Sequence, residues 1–318
     1  VGTPIDRHVS AADLTGAAAQ IVVPPDLEAR MKRVALITWA GLPEGAESEQ
    51  LLRPLLAVSG VDAQMVDWRD ASVNFSKFDL LVLRSCWDYH LRAQEFADWL
   101  HRIKRVVTVL NDVDTVLWNS NKFYLRELQE RGIQIAPTCF LNRGETLTKD
   151  YLAAMEDWEK VVVKPAISAS AHETRIFEPG SQPLADHLPK LLGNADFLLQ
   201  RFLPEIQTSG EISFIYIDGI YSHAVQKRPA AGDFRVQKEH GGSAELIHPA
   251  ASLLHQAHMI ADAAQEVSTS LYCRLDAVEA EGKLILMELE LIEPELFLGL
   301  AEDAAERFAA AIVRQLSN

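Results

Sequence analysis

Near the C-terminus, charged residues alternate with apolar ones on both sides of Glu281-Gly282: Arg274 and Asp276 before it, Glu288 and Glu290 after it. A hairpin turning there sets Asp276 across from Glu288 and Arg274 across from Glu290. Side chains alternate faces along a strand, so these four share one face. Leu275, Ala277, Met287, Leu289 and Leu291 take the other, apolar face. Opposed carboxylates in a ladder repel each other, so three of them in an apolar run need compensation. A hard divalent cation supplies it, since Mg²⁺ takes one or two carboxylates together with substrate phosphates and water. A solvated sheet face with Arg274 as counter-ion is the alternative.

Other segments have the residue types that hold a polyphosphate. The β-branched run Val161-Val162-Val163 ends in Lys164, which can project from a strand end as a point charge, or simply close a surface strand. The loop that follows contains Ser168 and Ser170 among small residues. Such a loop lets backbone N–H groups approach phosphate oxygens; a plain polar turn is the alternative. Gln200, Arg201, Phe202 and Leu203 end an apolar strand and can form an extended hinge with an apolar slot for an adenine ring. Glu205 is placed to take ribose hydroxyls, although an ordinary core strand would read the same way. Lys227, Arg228, Arg235 and Lys238 concentrate positive charge around a Gly-containing loop, which can close over phosphates or remain a solvated loop.

The elements that position these residues fall into two patterns. Strands at 34–38, 63–67, 78–84 and 106–110 alternate with helices at 49–58 and 93–103, which predicts a small parallel α/β sheet. Ligands in such sheets sit beyond the carboxyl ends of the strands. That edge carries Trp39, Arg84, Trp87, Asp88, Asn111 and Asp112. After residue 118 come a helix at 122–131 and strands at 134–140, 160–164, 197–202, 211–217, 220–227, 271–278 and 283–291. Helices are expected at 150–157, 250–268 and 301–316. Asp218-Gly219 is a hairpin signal, so antiparallel pairing follows. The predicted fold class is α/β followed by α+β lobes.

Composition narrows the function. The 318 residues carry a formal charge of −15, which argues against a nucleic-acid partner. Three well-separated cysteines lack metal-site or disulfide spacing. No apolar run reaches the ~20 residues a membrane span needs, and the start does not read as a signal peptide. A cytoplasmic protein acting on a small molecule is expected. Residues 1–30 read as an arm or leader.

The order of these signals resembles the ATP-grasp superfamily. Gln226-Lys227-Arg228, Gly232-Asp233-Phe234-Arg235 and Gly241-Gly242-Ser243-Ala244 are similar to its ribosomal-protein-glutamate-ligase and glutathione-synthetase-like branch. The resemblance covers about residues 119–300. It implies a preATP-grasp domain over 31–118, a small lobe over 119–203 and a C-terminal lobe with the metal site over 204–318. Lys122 and Lys164 would hold the α- and β-phosphates. Asp276, Glu288 and Glu290 would hold Mg²⁺, and Arg235, Arg274 and Lys227 would stabilise the transferred phosphoryl group. A carboxylate becomes an acyl phosphate and an amine displaces phosphate; closure of O-ureido-serine to cycloserine is an intramolecular version. Trp39, Arg84, Trp87, Asp88 and Tyr89 would receive an amino-acid-like substrate, with Arg84 on its carboxylate and Asp88 on its amino group. A homodimer is expected by the same resemblance. A kinase and a non-catalytic ATP-binding regulator are the competing readings. Two departures stand out: Glu290 replaces the usual Asn, and the loop after Lys164 lacks glycine.

Overall fold

The computed structural model describes residues 31–317 except 194, 234, 237–239 and 266–269. The arm reading of 1–30 lies outside the described residues, as do Phe234 and Lys238.

The first lobe runs β1 (Lys32–Thr38), α1 (Glu47–Val58), β2 (Val61–Asp67), β3 (Leu80–Leu83), α2 (Ala93–Ile103), β4 (Val109–Leu110) and α3 (Val113–Ser120). Its sheet has the order β2-β1-β3-β4, and every pairing is parallel. Val34 to Ile37 and Leu80 to Leu83 are buried, as strands covered on both faces must be. α3 was not anticipated.

After α4 (Tyr124–Glu130) comes a second sheet from β5 (Thr138–Leu141), β6 (Val161–Pro165), β7 (Arg175–Phe177) and β8 (Phe197–Arg201), in the order β5-β8-β6-β7. It is covered by α5 (Lys149–Ala154) and α6 (Gln182–Leu192). The sequence reading has neither β7 nor α6; Pro189 lies inside α6, where proline normally ends a helix.

Following the short α7 (Glu205–Thr208), β9 (Glu211–Ile217), β10 (Ile220–Arg228) and β11 (Ser243–Ile247) precede α8 (Ala251–Gln265), β12 (Tyr272–Ala280), β13 (Lys283–Glu290) and α9 (Ala304–Gln315). These strands form an antiparallel sheet in the order β11-β10-β9-β12-β13. The sequence pattern does not predict β11. It is an edge strand with mostly exposed side chains, so no apolar alternation marks it.

The first and third sheets share a core. Val34, Leu52 and Leu56 pack with Ile215, Tyr272, Phe308 and Ile312. Asn111, placed on the ligand edge by its position after β4, is instead fully buried and joins the two sheets. Its Nδ2 donates to the carbonyls of Tyr272 (2.9 Å) and Leu291 (2.7 Å), and its Oδ1 accepts from Leu271 N–H (2.7 Å). Asp112 caps α3, accepting from Asp114 N–H. Both corrections have one cause: backbone groups at the sheet junction must be satisfied.

β13 is held from outside in the same way. Asn119 Nδ2 and the Tyr124 hydroxyl both donate to Leu289 O, the hydroxyl accepts from Leu289 N–H, and Asn119 Oδ1 accepts from Leu291 N–H. Among the described residues no helix is long and apolar enough to cross a membrane.

Candidate active site

A cavity of about 940 Å³ opens between the three sheets. Lys122 and Lys164 line it, with Glu211, Lys227, Arg235, Arg274, Asp276, Glu288 and Glu290. The β12–β13 ladder pairs Asp276 with Glu288 and Arg274 with Glu290, as expected, but a bulge follows Asp276. A two-residue turn at Glu281-Gly282 would by itself pair Asp276 with Met287. The extra residue in β13 shifts the phase by one, so Glu288 meets the cavity instead of the core. Met287, expected in the apolar layer, therefore lines the cavity beside Glu288.

The acids are not equivalent. Asp276 is only 3% exposed. It accepts from Ser213 Oγ, from Lys227 Nζ at 3.0 Å and from the Arg274 guanidinium. Burial raises its pKa, but Arg274 and Lys227 outweigh this and hold it well below the usual carboxylate range. Glu288 and Glu290 keep 30% and 26% side-chain exposure and face Lys122 (3.0 Å) and Arg274, respectively. Burial pushes the Glu290 carboxyl up to about 7 against the pull of Arg274, with Asp276 and Glu288 adding to the rise. Among the described residues no three His, Cys, Asp or Glu side chains are grouped to hold a metal. Glu288 and Glu290 keep oxygens open to the cavity, whereas both Asp276 oxygens already accept from neighbouring side chains.

Lys164 leaves β6 half-buried, and burial lowers its amine to about 8. Lys122 lies beneath the following loop, donating to the carbonyl of Ser168. The Ser168 hydroxyl donates to Pro165 O at 3.1 Å, whereas Ser170 lines the cavity. Ser170, Ala171 and Glu173 have φ of 49°, 55° and 54°, a left-handed region that disfavours non-glycine residues. The loop makes without glycine a shape that glycine usually makes. Arg235 lines the same space, its guanidinium forked onto Asp233.

At the other end of the cavity, Gln200 to Leu203 run beside an apolar slot of Val162, Ile206, Val236 and Met287. Gln200 is anchored through its Nε2 to Thr138 Oγ1. Glu205 is not among the cavity-lining residues: it begins α7, and its Oε2 is buried without a partner. The lining acid here is Glu211, six residues on, buried and paired with Lys227. The sequence reading missed Glu211, although the Gly210 before it (φ 86°) marks the sharp turn into β9.

Residues 34–111 match the family described as D-cycloserine synthetase DcsG, N-terminal domain. The cycloserine biosynthesis protein DcsG of Streptomyces lavendulae is 30% identical over 301 residues, covering 89% of this chain and 98% of that protein. The chain belongs to the DcsG family of ATP-grasp ligases. The crystal structure of D-cycloserine synthetase DcsG superposes with a TM-score of 0.81 at 27% identity, covering 89% of this chain and 99% of that one. A D-alanine–D-alanine ligase from Bacillus anthracis, complexed with ATP, shares the fold at TM-score 0.63 and 15% identity, over 90% of this chain and 97% of its own. This DcsG-family chain is accordingly an ATP-dependent carbon–nitrogen ligase.

The first lobe of the DcsG-family fold places its candidates unevenly. Trp87 and Tyr89 line the cavity. Trp39 does not; it packs on the β1–β3 core, over Gly41, where a side chain would collide with its ring. Asp88 is buried and accepts from Trp68 Nε1 at 2.8 Å, so it is not placed to meet a substrate amine. Arg84 is 1% exposed. Its Nε donates to Glu49 at 2.9 Å and its Nη2 to Pro294 O at 3.0 Å, with Tyr272 and Phe308 rings against it. It follows a strand buried on both faces, so it ends inside the protein. Arg84→Met leaves Glu49 buried without its cation, and breaking such a pair costs about 3–5 kcal/mol. Urea unfolding should show that loss directly, whereas a substrate-binding arginine would change KM and leave the urea midpoint alone.

Proposed function

We propose that this ligase activates the carboxylate of a small amino-acid-type substrate as an acyl phosphate and closes it intramolecularly onto a nitrogen of the same molecule, as the relative's role in cycloserine biosynthesis suggests. The carrying observation is the convergence of Lys122, Lys164, Glu288 and Glu290 on one cavity that reaches the first lobe. The slot beside Gln200 to Leu203 seats the adenine, with Glu211 toward the ribose. Lys122 and Lys164 hold the phosphates, and Arg235, Arg274 and Lys227 neutralise charge as the phosphoryl group leaves ADP for the carboxylate oxygen. The nitrogen then attacks the carbonyl carbon, loses its proton, and phosphate departs.

The donor set fits Mg²⁺. Glu288 and Glu290 offer hard oxygens from one strand face and remain partly exposed to the cavity, and one or two carboxylates plus phosphates is the usual Mg²⁺ complement. Bound there, Mg²⁺ would offset phosphate charge; the lysines and arginines do the positioning.

ADP release is measured with O-ureido-serine alone and across amino acids with and without added amines. Turnover with the single compound, with ring formation seen by mass spectrometry, is expected. A strict need for a separate amine would overturn the intramolecular reading.

A further inference from the structure

Ion pairing accounts for most of the charge in the cavity. Lys122 is matched by Glu288, Lys227 by Glu211 and Asp276, and Arg274 by Asp276 and Glu290. Glu293 is different. It is 9% exposed and lines the cavity, yet among the described residues no hydrogen bond or ion pair reaches its carboxylate. A buried carboxylate without a partner is costly. Burial, with Glu290 and Glu288 nearby, raises its pKa well above the ordinary value.

Its backbone, in contrast, is firmly held. Trp87 Nε1 donates to Glu293 O at 3.0 Å, Arg84 to Pro294 O at 3.0 Å, and Arg274 Nη1 to Glu295 O at 3.0 Å. Ser48 Oγ closes on the Glu295 carboxylate. The unpartnered acid therefore stands on a segment fixed from three sides, which is how binding groups are preorganised.

The lining around it has a consistent character. This end of the cavity presents Glu47, Glu293 and Glu295 with Trp87, Phe297 and Leu300. The lining lysines and arginines are Lys122, Lys164, Arg201, Lys227, Arg235 and Arg274; of these Lys122 and Arg274 lie near enough to offset part of the rise in the Glu293 pKa, but neither pairs with its carboxylate. A cation carried by an organic substrate satisfies both the acid and the aromatic wall.

We propose that Glu293 is the anchor for the α-ammonium group of the substrate, seated against Trp87 with its carboxylate directed toward Lys164 and Arg274. Resting on the ligase reading above, this reverses the polarity expected of the first lobe. Arg84 does not take the substrate carboxylate; it holds the segment on which the ammonium-binding acid stands.

The test compares O-ureido-serine with its 2-deamino counterpart in the wild type and in Glu293→Gln. The wild type should favour the amino compound by about 100-fold in kcat/KM, the scale of one lost buried charge pair. In Glu293→Gln the KM of the amino compound should rise by about that factor, while the KM of ATP stays within about threefold and the preference collapses. An unchanged KM, or an equal rise for both compounds, overturns the anchor. The melting temperature without substrate adds a second readout: relief of an unpartnered acid should leave it at or above the wild-type value, and a clear fall would make Glu293 structural. If the wild type releases ADP with none of these compounds, the ligase substrate reading fails by itself. Calorimetry with serine amide, an ammonium without a carboxylate, then decides the anchor: binding to the wild type alone supports it, and no binding or equal binding to both proteins sinks it.

Discussion

Lys164→Ala should lower ATP-dependent turnover on the order of 10³-fold while leaving the protein folded. Lys164 lines the cavity half-buried, and no ion-pair partner for it lies among the described residues. A cation held unpaired in a cleft costs stability and is available to a phosphate. Preorganised donors of this kind are worth about 10²–10³ in rate each, and a point charge toward a polyphosphate belongs at the upper end. Because burial lowers the free amine to about 8, nucleotide binding should depend on pH. A bound polyphosphate favours the charged form and raises the pKa, so binding takes up a proton when the amine is neutral. Affinity should therefore be full below pH 8 and weaken as pH climbs through it. Lys164→Arg, permanently charged, should flatten that profile in calorimetric titrations. Near-normal ADP release by Lys164→Ala would remove the lysine from the phosphate site.

Glu288→Gln is expected to have a comparable effect by another route. Burial tends to raise its pKa, but Lys122 and Lys164 outweigh this and keep the carboxylate ionised. The amide keeps the shape and loses the charge. Turnover should fall about 10³-fold, equivalent to about 4 kcal/mol of transition-state stabilisation, and the Mg²⁺ concentration for half activation should rise at least about tenfold. Asp276→Asn should behave differently. Its carboxylate is enclosed by Ser213, Lys227 and Arg274, so its loss should cost about 3–5 kcal/mol of folding stability before any Mg²⁺ effect is seen. Identical Mg²⁺ activation curves for wild type and Glu288→Gln would exclude the carboxylate as a metal ligand.

Much of this was legible in the sequence, for identifiable reasons. α2 spans the expected 93–103 and β9 the expected 211–217, because each has clean periodicity and a sharp boundary. The lysines, the hinge at Gln200 to Leu203 and the paired acids all reach one cavity. What was not legible depended on contacts distant in sequence. Arg84 meets Glu49 and Pro294, 35 and 210 residues away, and no local pattern announces such partners. Glu293 carries no motif; its burial is decided by the first lobe folding onto it. Glu205 begins α7 and does not line the cavity, whereas Glu211, past that short helix, does; no local pattern marks the helix.

The bulge in β13 has a consequence for how the hairpin tolerates change. Phase along this ribbon is set at Met287 and by the clasps of Asn119 and Tyr124 on Leu289 and Leu291, not at the exposed tip. Lengthening the tip at Glu281-Gly282 should therefore pass without chemical effect. One residue added between Met287 and Leu289 should carry an acid out of the cavity, or pull Met287 away from it. Two neighbouring side chains, one greasy and one anionic, thus enter the same cavity, and their spacing works as a fixed ruler within the chain.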